Sequence, residues 1–297
     1  MADQVPGLRD GDALLRAVDL TVDFEMGKRQ TFRAVDGVSF DVRAGETLGI
    51  VGESGSGKST TAKSIVQLPP PTGGNVFFDG ESLASMNRDR LRSLRTDIQM
   101  IFQDPVSALN PRRTVGEIIR EGVDIWGTGD RWTDERLTGL IESVGIDTSS
   151  LTRKPFEFSG GQCQRIGIAR ALAVEPKVLI CDEPTSALDV SVQAQILNLL
   201  HDLKAEHDLT MMFISHDLSV VRNVSDRVMV MLKGRVVEIG SADRVFESAE
   251  HPYTRTLLSA VPGSSVRANP SEAHVEGLDG ATLEMVGDDH WVLPHEG

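Results

Sequence analysis

The sequence predicts an α/β fold: a parallel sheet covered by helices on both faces, with an antiparallel β subdomain, an inserted α-helical subdomain and a carboxyl-terminal extension. Three short apolar runs carry that expectation. TLGIVG at 47–52, KVLICDE at 177–183 and TMMFISHD at 210–217 each stop abruptly at polar residues. Continuous rather than alternating hydrophobicity is what strands buried on both faces show. Between the last two runs, SVQAQILNLLHDLKAEH places Ile196, Leu199, Leu200 and Leu203 at helical spacing, as a helix packed on a sheet requires.

The remaining elements follow in chain order. LLRAVDLTVDFEM at 14–26 and RAVDGVSFDVRAGE at 33–46 alternate apolar and polar residues, as half-exposed antiparallel strands do. DPVSALNPRRTVGEIIREGVDIW at 104–126 and DERLTGLIESVGI at 134–146 read as amphipathic helices broken by Pro and Gly. They define a helical subdomain at about 105–160 within a domain of residues 1–250. Residues 251–297 form the extension; from VPGSSVRANPSEAHVEG onward it is rich in Gly, Pro, Ser and acids, a loosely ordered appendage with a short strand at HWVL.

Composition narrows the function classes. A chain of 297 residues with 40% hydrophobic and 25% charged residues can bury a sizeable core, and no apolar run is longer than a strand. The amino terminus carries acids where a secretory leader would be basic and then apolar, so a cytoplasmic location is expected. Cys163 and Cys181 form neither a metal-ligand pattern nor a disulfide framework. A net charge of −14 disfavours nucleic acid as the main partner, since that needs clustered Lys and Arg. An anionic ligand must be held locally, by a few placed donors and a metal ion.

GESGSGKS, from Gly52 through Glu53, Ser54, Gly55, Ser56, Gly57 and Lys58 to Ser59, with Thr60 following, fits the pattern GxxxxGK[ST] between a strand and a helix. Its glycines let backbone N–H groups converge on phosphate oxygens, Lys58 reaches the outer phosphates, and the Ser59 hydroxyl suits Mg²⁺. Asp182 and Glu183 end a buried strand; two adjacent acids there are costly unless a cation or a reaction uses them. Asp182 suits the metal ion and Glu183 the activation of water. Taken alone, both could be solvated acids at a strand end. His216, after the third run, is placed to reach the same sheet edge, although a lone His after a strand is usually unremarkable. Gln103 ends a further strand where the helical insertion begins. Ser159, Gly160, Gly161 and Gln162 open the helix CQRIGIARAL and make a second anion cradle, one that lacks a Lys. Cys163, next to that helix start, sits where a thiol pKa can be lowered, yet a redox role is not expected of it, and Cys181 reads as a small buried hydrophobe.

Together these residues resemble the ATP-binding-cassette (ABC) ATPases, P-loop NTPases with a RecA-like core. The match covers most of residues 14–250: Walker A at Gly52–Ser59, the Q-loop Gln103, the signature FSGGQ at 158–162, Walker B VLICDE, the D-loop SALD ending at Asp189, and the switch His216. The resemblance implies ATP and Mg²⁺ as cofactors. It assigns Ser59, Gln103 and Asp182 to the metal, Glu183, His216 and Gln103 to catalysis, and Ser159–Gln162 and Asp189 to a nucleotide shared with a second cassette packed head to tail. Phe24 stands where the family stacks an aromatic ring on adenine, yet Leu20, Val22 and Phe24 also alternate like a core face.

IFQDPVSALNPRRTVGE at 101–117 and HPYTRTLLSAVP at 251–262 look like the ATPase subunits of dipeptide, oligopeptide and nickel importers. That likeness implies two membrane-spanning permease subunits, a second ATPase subunit, an extracytoplasmic solute-binding protein, and peripheral attachment to the inner face of the cytoplasmic membrane. Some such relatives hold an iron-sulfur centre on cysteines in the tail; this tail has none. The alternatives are a soluble regulatory cassette acting on ribosomes or nucleic acid, and a nucleotide-binding module that no longer hydrolyses. A single cassette with acidic balance weighs against the first, and intact Glu183 and His216 against the second.

Overall fold

β1 (Leu15–Glu25) and β2 (Thr31–Val42) pair antiparallel, as the alternating pattern requires. In the computed structural model, residues 5–9, 11–27, 30–126, 132–261 and 281–294 are described. They fall into two compact units, 1–86 with 212–297, and 87–211. Leu15, Ala17, Leu20 and Val22 of β1 are fully buried. The inward set changes from odd to even positions because the register shifts between Ala17 and Leu20, where Asp19 takes a φ of 50°. An extra residue in one strand flips every later side chain to the other face. β3 (Thr47–Val51) is buried at all five positions and leads through the Gly-rich loop into α1 (Lys58–Ile65). β4 (Gly73–Phe78) and β5 (Glu81–Ser82) complete the antiparallel sheet in the order β2-β1-β4-β5.

The second unit begins with α2 (Arg88–Asp97) and β6 (Ile98–Ile101). Its helices are α3 (Val115–Trp126), α4 (Asp134–Ser143), α5 (Gly160–Leu172) and, after β7 (Val178–Asp182), α6 (Val190–His207). β6 and β7 are parallel, with Ile101 opposite Cys181. Two expectations need correction here. Helix was expected from residue 104, but 104–114 is a run of turns. Asp104 Oδ1 accepts the N–H groups of Val106 and Ser107, Asn110 Oδ1 accepts that of Arg112, and Pro105 and Pro111 lack the donors a helix needs. Helix starts only where Thr114 and Glu117 cap each other, Thr114 N–H to Glu117 Oε2 at 2.7 Å and Glu117 N–H to Thr114 Oγ1 at 3.4 Å. On α6, Ile196, Leu200 and Leu203 are buried as expected, whereas Leu199 is only half-buried.

In β8 (Thr210–Ile214) the chain passes from the second unit back to the first. α7 (Leu218–Val224), β9 (Arg227–Leu232), β10 (Arg235–Ser241), α8 (Ala242–Glu247) and α9 (Pro252–Ser259) follow. β9 runs parallel to β3 with Ile50 opposite Met229, and antiparallel to β10. The HWVL segment does form a strand, β12 (His290–Val292), paired with β10 on one side and β11 (Glu284–Gly287) on the other. The first unit's strands therefore run β11-β12-β10-β9-β3. The stretch 262–280, within the expected appendage, lies outside the described residues.

Candidate functional site

The Gly52–Ser59 loop is built by glycines in conformations that a side chain would not tolerate. Gly52 has a φ of 151° and a Cβ there would lie 2.2 Å from Met231 O; at Gly57, φ is 102° and a Cβ would meet Ala34 O at 2.6 Å. Main-chain bonds fasten the loop on its outer side. Gly234, in the β9–β10 turn, donates its N–H to Ser56 O and accepts that of Asp36 at Gly234 O, both at 2.9 Å. Within the loop, Lys58 is almost fully buried and donates Nζ to Gly52 O and Glu53 O, each at 2.8 Å, and to Ser56 Oγ at 3.4 Å. An ammonium resting on two carbonyls at a helix start is a cation held where phosphate oxygens would compete for it. Ser59 and Thr60 are in the first turn of α1.

His216 is exposed just beyond β8, and Ser215 N–H donates to Ile50 O at 3.3 Å, so β8 ends beside the strand that feeds the loop. Asp217 fixes the turn, its Oδ1 accepting the N–H groups of Ser219 and Val220. Phe24 leaves the core face that Leu20 and Val22 define: it is 38% exposed, and its cross-strand partner Phe32 is 52% exposed. Phe24 and Phe32 thus form an exposed aromatic pair on neighbouring strands, and Phe32 stands two residues from the Ala34 that backs Gly57.

In the second unit, the β6–β7 register dictates the next contact. Ile101 lies opposite Cys181, so the residues two further along each strand come side by side, and Gln103 Nε2 donates to Glu183 Oε2 at 3.0 Å. Glu183 takes a φ of 48°, a left-handed conformation that costs a non-Gly residue of order 1 kcal/mol or more. Its carbonyl accepts Ser186 N–H and Ser186 Oγ–H, which hold the turn. Asp182 is the last residue of β7 and 2% exposed.

The FSGGQ segment starts α5 with a reciprocal cap: Ser159 Oγ accepts Gln162 N–H at 3.3 Å, and Ser159 N–H donates to Gln162 Oε1 at 3.0 Å. Gly161 lets this helix approach α6, since a Cβ would lie 2.4 Å from Val192 Cγ1; one at Gly160 would make an ordinary contact with Leu188 at 3.5 Å. FSGGQ and SALD are thereby brought together. Asp189 caps α6, and hydrogen bonds from the Ser191 hydroxyl and then the Val192 N–H hold its carboxyl below the usual range. Cys163, where a helix start could have lowered the thiol pKa, is not activated in that way. It is fully buried with Sγ facing Pro155 O at 3.5 Å, and burial pushes the thiol pKa up, overriding the helix terminus. Burial raises Cys181 as well.

Three residues near the loop were not singled out from sequence. Gly234 was hidden because a turn glycine carries no long-range signal; Phe32 could have been noticed as an aromatic at an outward strand position. Tyr253 was noted only within HPYTRTLLSAVP. Its phenol oxygen accepts Glu53 N–H at 3.0 Å, a contact across 200 residues of chain.

Known proteins resemble this chain over most of its length. A family model described as "ABC transporter" matches residues 35–186, and one described as "Oligopeptide/dipeptide transporter, C-terminal region" matches 237–282. The oligopeptide transport ATP-binding protein OppF of Escherichia coli is 52% identical over 84% of this chain and 78% of its own. That of Bacillus subtilis is 52% identical over 89% of this chain and 91% of its own. Among solved structures, the dimeric post-hydrolysis state of the ATP-binding cassette MJ0796, bound to ADP and Pi, superposes with a TM-score of 0.69 at 30% identity, covering 77% of this chain and 98% of that one. Clostridium perfringens cbiO1, part of the ABC transporter complex cbiONQ, gives 0.69 at 28% identity over 85% and 97%. Among the described residues no helix is long and apolar enough to cross a membrane.

Proposed function

Because this chain belongs to the ABC transporter family of ATP-binding cassettes, we propose that it binds and hydrolyses ATP to energise peptide import. The carrying observation is the Lys58 ammonium held inside a glycine loop at the start of α1. A match over 237–282 to the peptide-transporter carboxyl-terminal region favours the importer over a regulatory cassette.

In this reading Lys58 gives up its two carbonyl partners for the β and γ phosphate oxygens, and the N–H groups of the loop complete the cradle. Ser59, Asp182 and Gln103 would hold Mg²⁺, which neutralises charge on the phosphates. The donor set is all oxygen, with a carboxylate at a buried strand end, and fits a hard cation. Glu183 orients the attacking water and takes its proton, and His216 positions that water against the γ phosphate. Phe24 stacks on the adenine. Ser159, Gly161, Gln162 and Asp189 act on the nucleotide of a second cassette, where the Ser159 hydroxyl and the Gly161 N–H stabilise the charge that develops. Closure and reopening of that pair would pass through Gln103 and the helices of 105–160 to two membrane-spanning subunits. The chain works peripherally at the cytoplasmic face of the membrane, receiving solute from an extracytoplasmic binding protein by way of those subunits.

Equilibrium binding of ATP to the full chain, with and without Mg²⁺, tests the core of this reading. Affinity should rise with Mg²⁺ and fall at least about 100-fold in Lys58→Ala, the loss of a charge-assisted contact to both outer phosphates. Unchanged affinity in that variant overturns it.

A further inference from the structure

Tyr253 is the one tyrosine of the chain and is 3% exposed. It occupies the first turn of α9, and that turn is anchored. His251 caps the helix, its Nδ1 accepting Tyr253 N–H at 3.2 Å. The N–H groups of Glu250 and His251 both donate to the fully buried Glu238 carboxylate on β10, at 2.9 and 3.1 Å, and His290 Nε2 of β12 lies 2.8 Å from the same carboxylate. Two segments, Glu250–His251 and β12, thus converge on Glu238. From this fixed base the Tyr253 hydroxyl accepts Glu53 N–H at 3.0 Å.

Glu53 N–H and Gly52 C=O belong to one peptide unit. Lys58 holds the carbonyl end at 2.8 Å and Tyr253 the amide end at 3.0 Å. When an anion draws Lys58 away, the carbonyl end loses that partner. With glycine on one side, this unit meets a lower barrier to rotation than one flanked by two side chains.

We propose that Tyr253 is a positioning residue of the phosphate loop: its hydroxyl keeps the Gly52–Glu53 peptide in place while Lys58 exchanges those carbonyls for phosphate oxygens. This rests on the loop's being the nucleotide cradle. It gives the carboxyl-terminal segment a role in ATP binding exerted through the loop, one that solute recognition and contact with membrane subunits do not require.

Tyr253→Phe keeps the ring and removes only the bond. In the full chain, ATP affinity should fall about five-fold, the usual worth of one buried neutral hydrogen bond. In the assembled transporter, KM for ATP should rise by a similar factor while kcat stays within two-fold. A hydroxyl that served packing alone would change the melting temperature and leave this KM–kcat split absent. A second measurement needs no mutation: with 3-fluorotyrosine incorporated, the single ¹⁹F resonance should shift when ATP binds. Unaltered ATP affinity in Tyr253→Phe, or a ¹⁹F signal indifferent to saturating ATP, overturns the inference. Failure of the wild-type chain to bind ATP overturns the cradle reading instead.

Discussion

Gln103 donates its amide to the Glu183 carboxylate across 3.0 Å, which ties the residue that starts the helical insertion to the acid that opens the turn after β7. The pair follows from strand register, Ile101 opposite Cys181, and needs no ligand to form. The amide bond uses one acceptor site of a carboxylate that has several, so it can orient Glu183 while the group still takes a proton from water. Glu183→Gln should lower ATP turnover by at least about 100-fold, the lower end of what a positioned base contributes, with ATP affinity retained. Gln103→Ala should cost about ten-fold in turnover and less than two-fold in affinity. Steady-state ATPase assays beside equilibrium binding decide both; full activity in Glu183→Gln removes it from the base role.

The approach of α5 to α6 at Gly161 gives a steric prediction. Gly161→Ala places a methyl 2.4 Å from Val192 Cγ1 as the helices now stand. Overpacking of this kind costs about 1–3 kcal/mol. Val192→Ala in the same chain should restore most of the loss, which thermal or urea unfolding of the single and double variants will show. Equal stability of Gly161→Ala and wild type would contradict the packing described.

Both thiols are buried and both have pKa values pushed up by burial. Neither should react quickly with a disulfide reagent at pH 8 in the native chain, and both should react once it is unfolded. A fast-reacting native thiol would return Cys163 to consideration as a redox site.

Tyr253 supplies a pH dependence whose sign is fixed. Burial, opposed by the Glu53 N–H bond and reinforced by the Glu53 charge, pushes its phenol up to about 12, against an ordinary value of about 10. Between those values the unfolded chain has released its proton and the folded chain has not, so stability falls as pH rises, by up to about 1.4 kcal/mol per unit. Below pH 10 the group has no such effect. Absorbance at 295 nm should report the late titration, and Tyr253→Phe should lose that part of the alkaline destabilisation. An ordinary midpoint near 10 in the folded protein would refute the burial.

Local patterns made much of this legible in advance. TLGIVG, KVLICDE and TMMFISHD announced β3, β7 and β8 because burial on both faces leaves no polar alternation. The Gly-rich loop and the FSGGQ helix start were readable because backbone chemistry fixes their spacing. The β1 bulge at Asp19 was not, since one inserted residue leaves the overall composition of the strand unchanged. Turns at 104–114 were mistaken for helix because apolar spacing was weighed above the side-chain bonds of Asp104 and Asn110. Tyr253 on Glu53 lay beyond reach, as nothing within a window of twenty residues marks a partner 200 positions away.

β12 has a consequence for solubility. It covers β10 with pairs at Glu238–Val292 and Ile239–Trp291, and Leu293 N–H donates to Val237 O at 2.8 Å. Removing the chain beyond Val261 would strip that cover and leave a row of open N–H and C=O groups on an apolar strand. Such an edge is a template on which a second molecule can add its own strand. A shortened protein of this kind should self-associate and precipitate even with its phosphate loop intact, so the few residues of β12 act as a guard against aggregation.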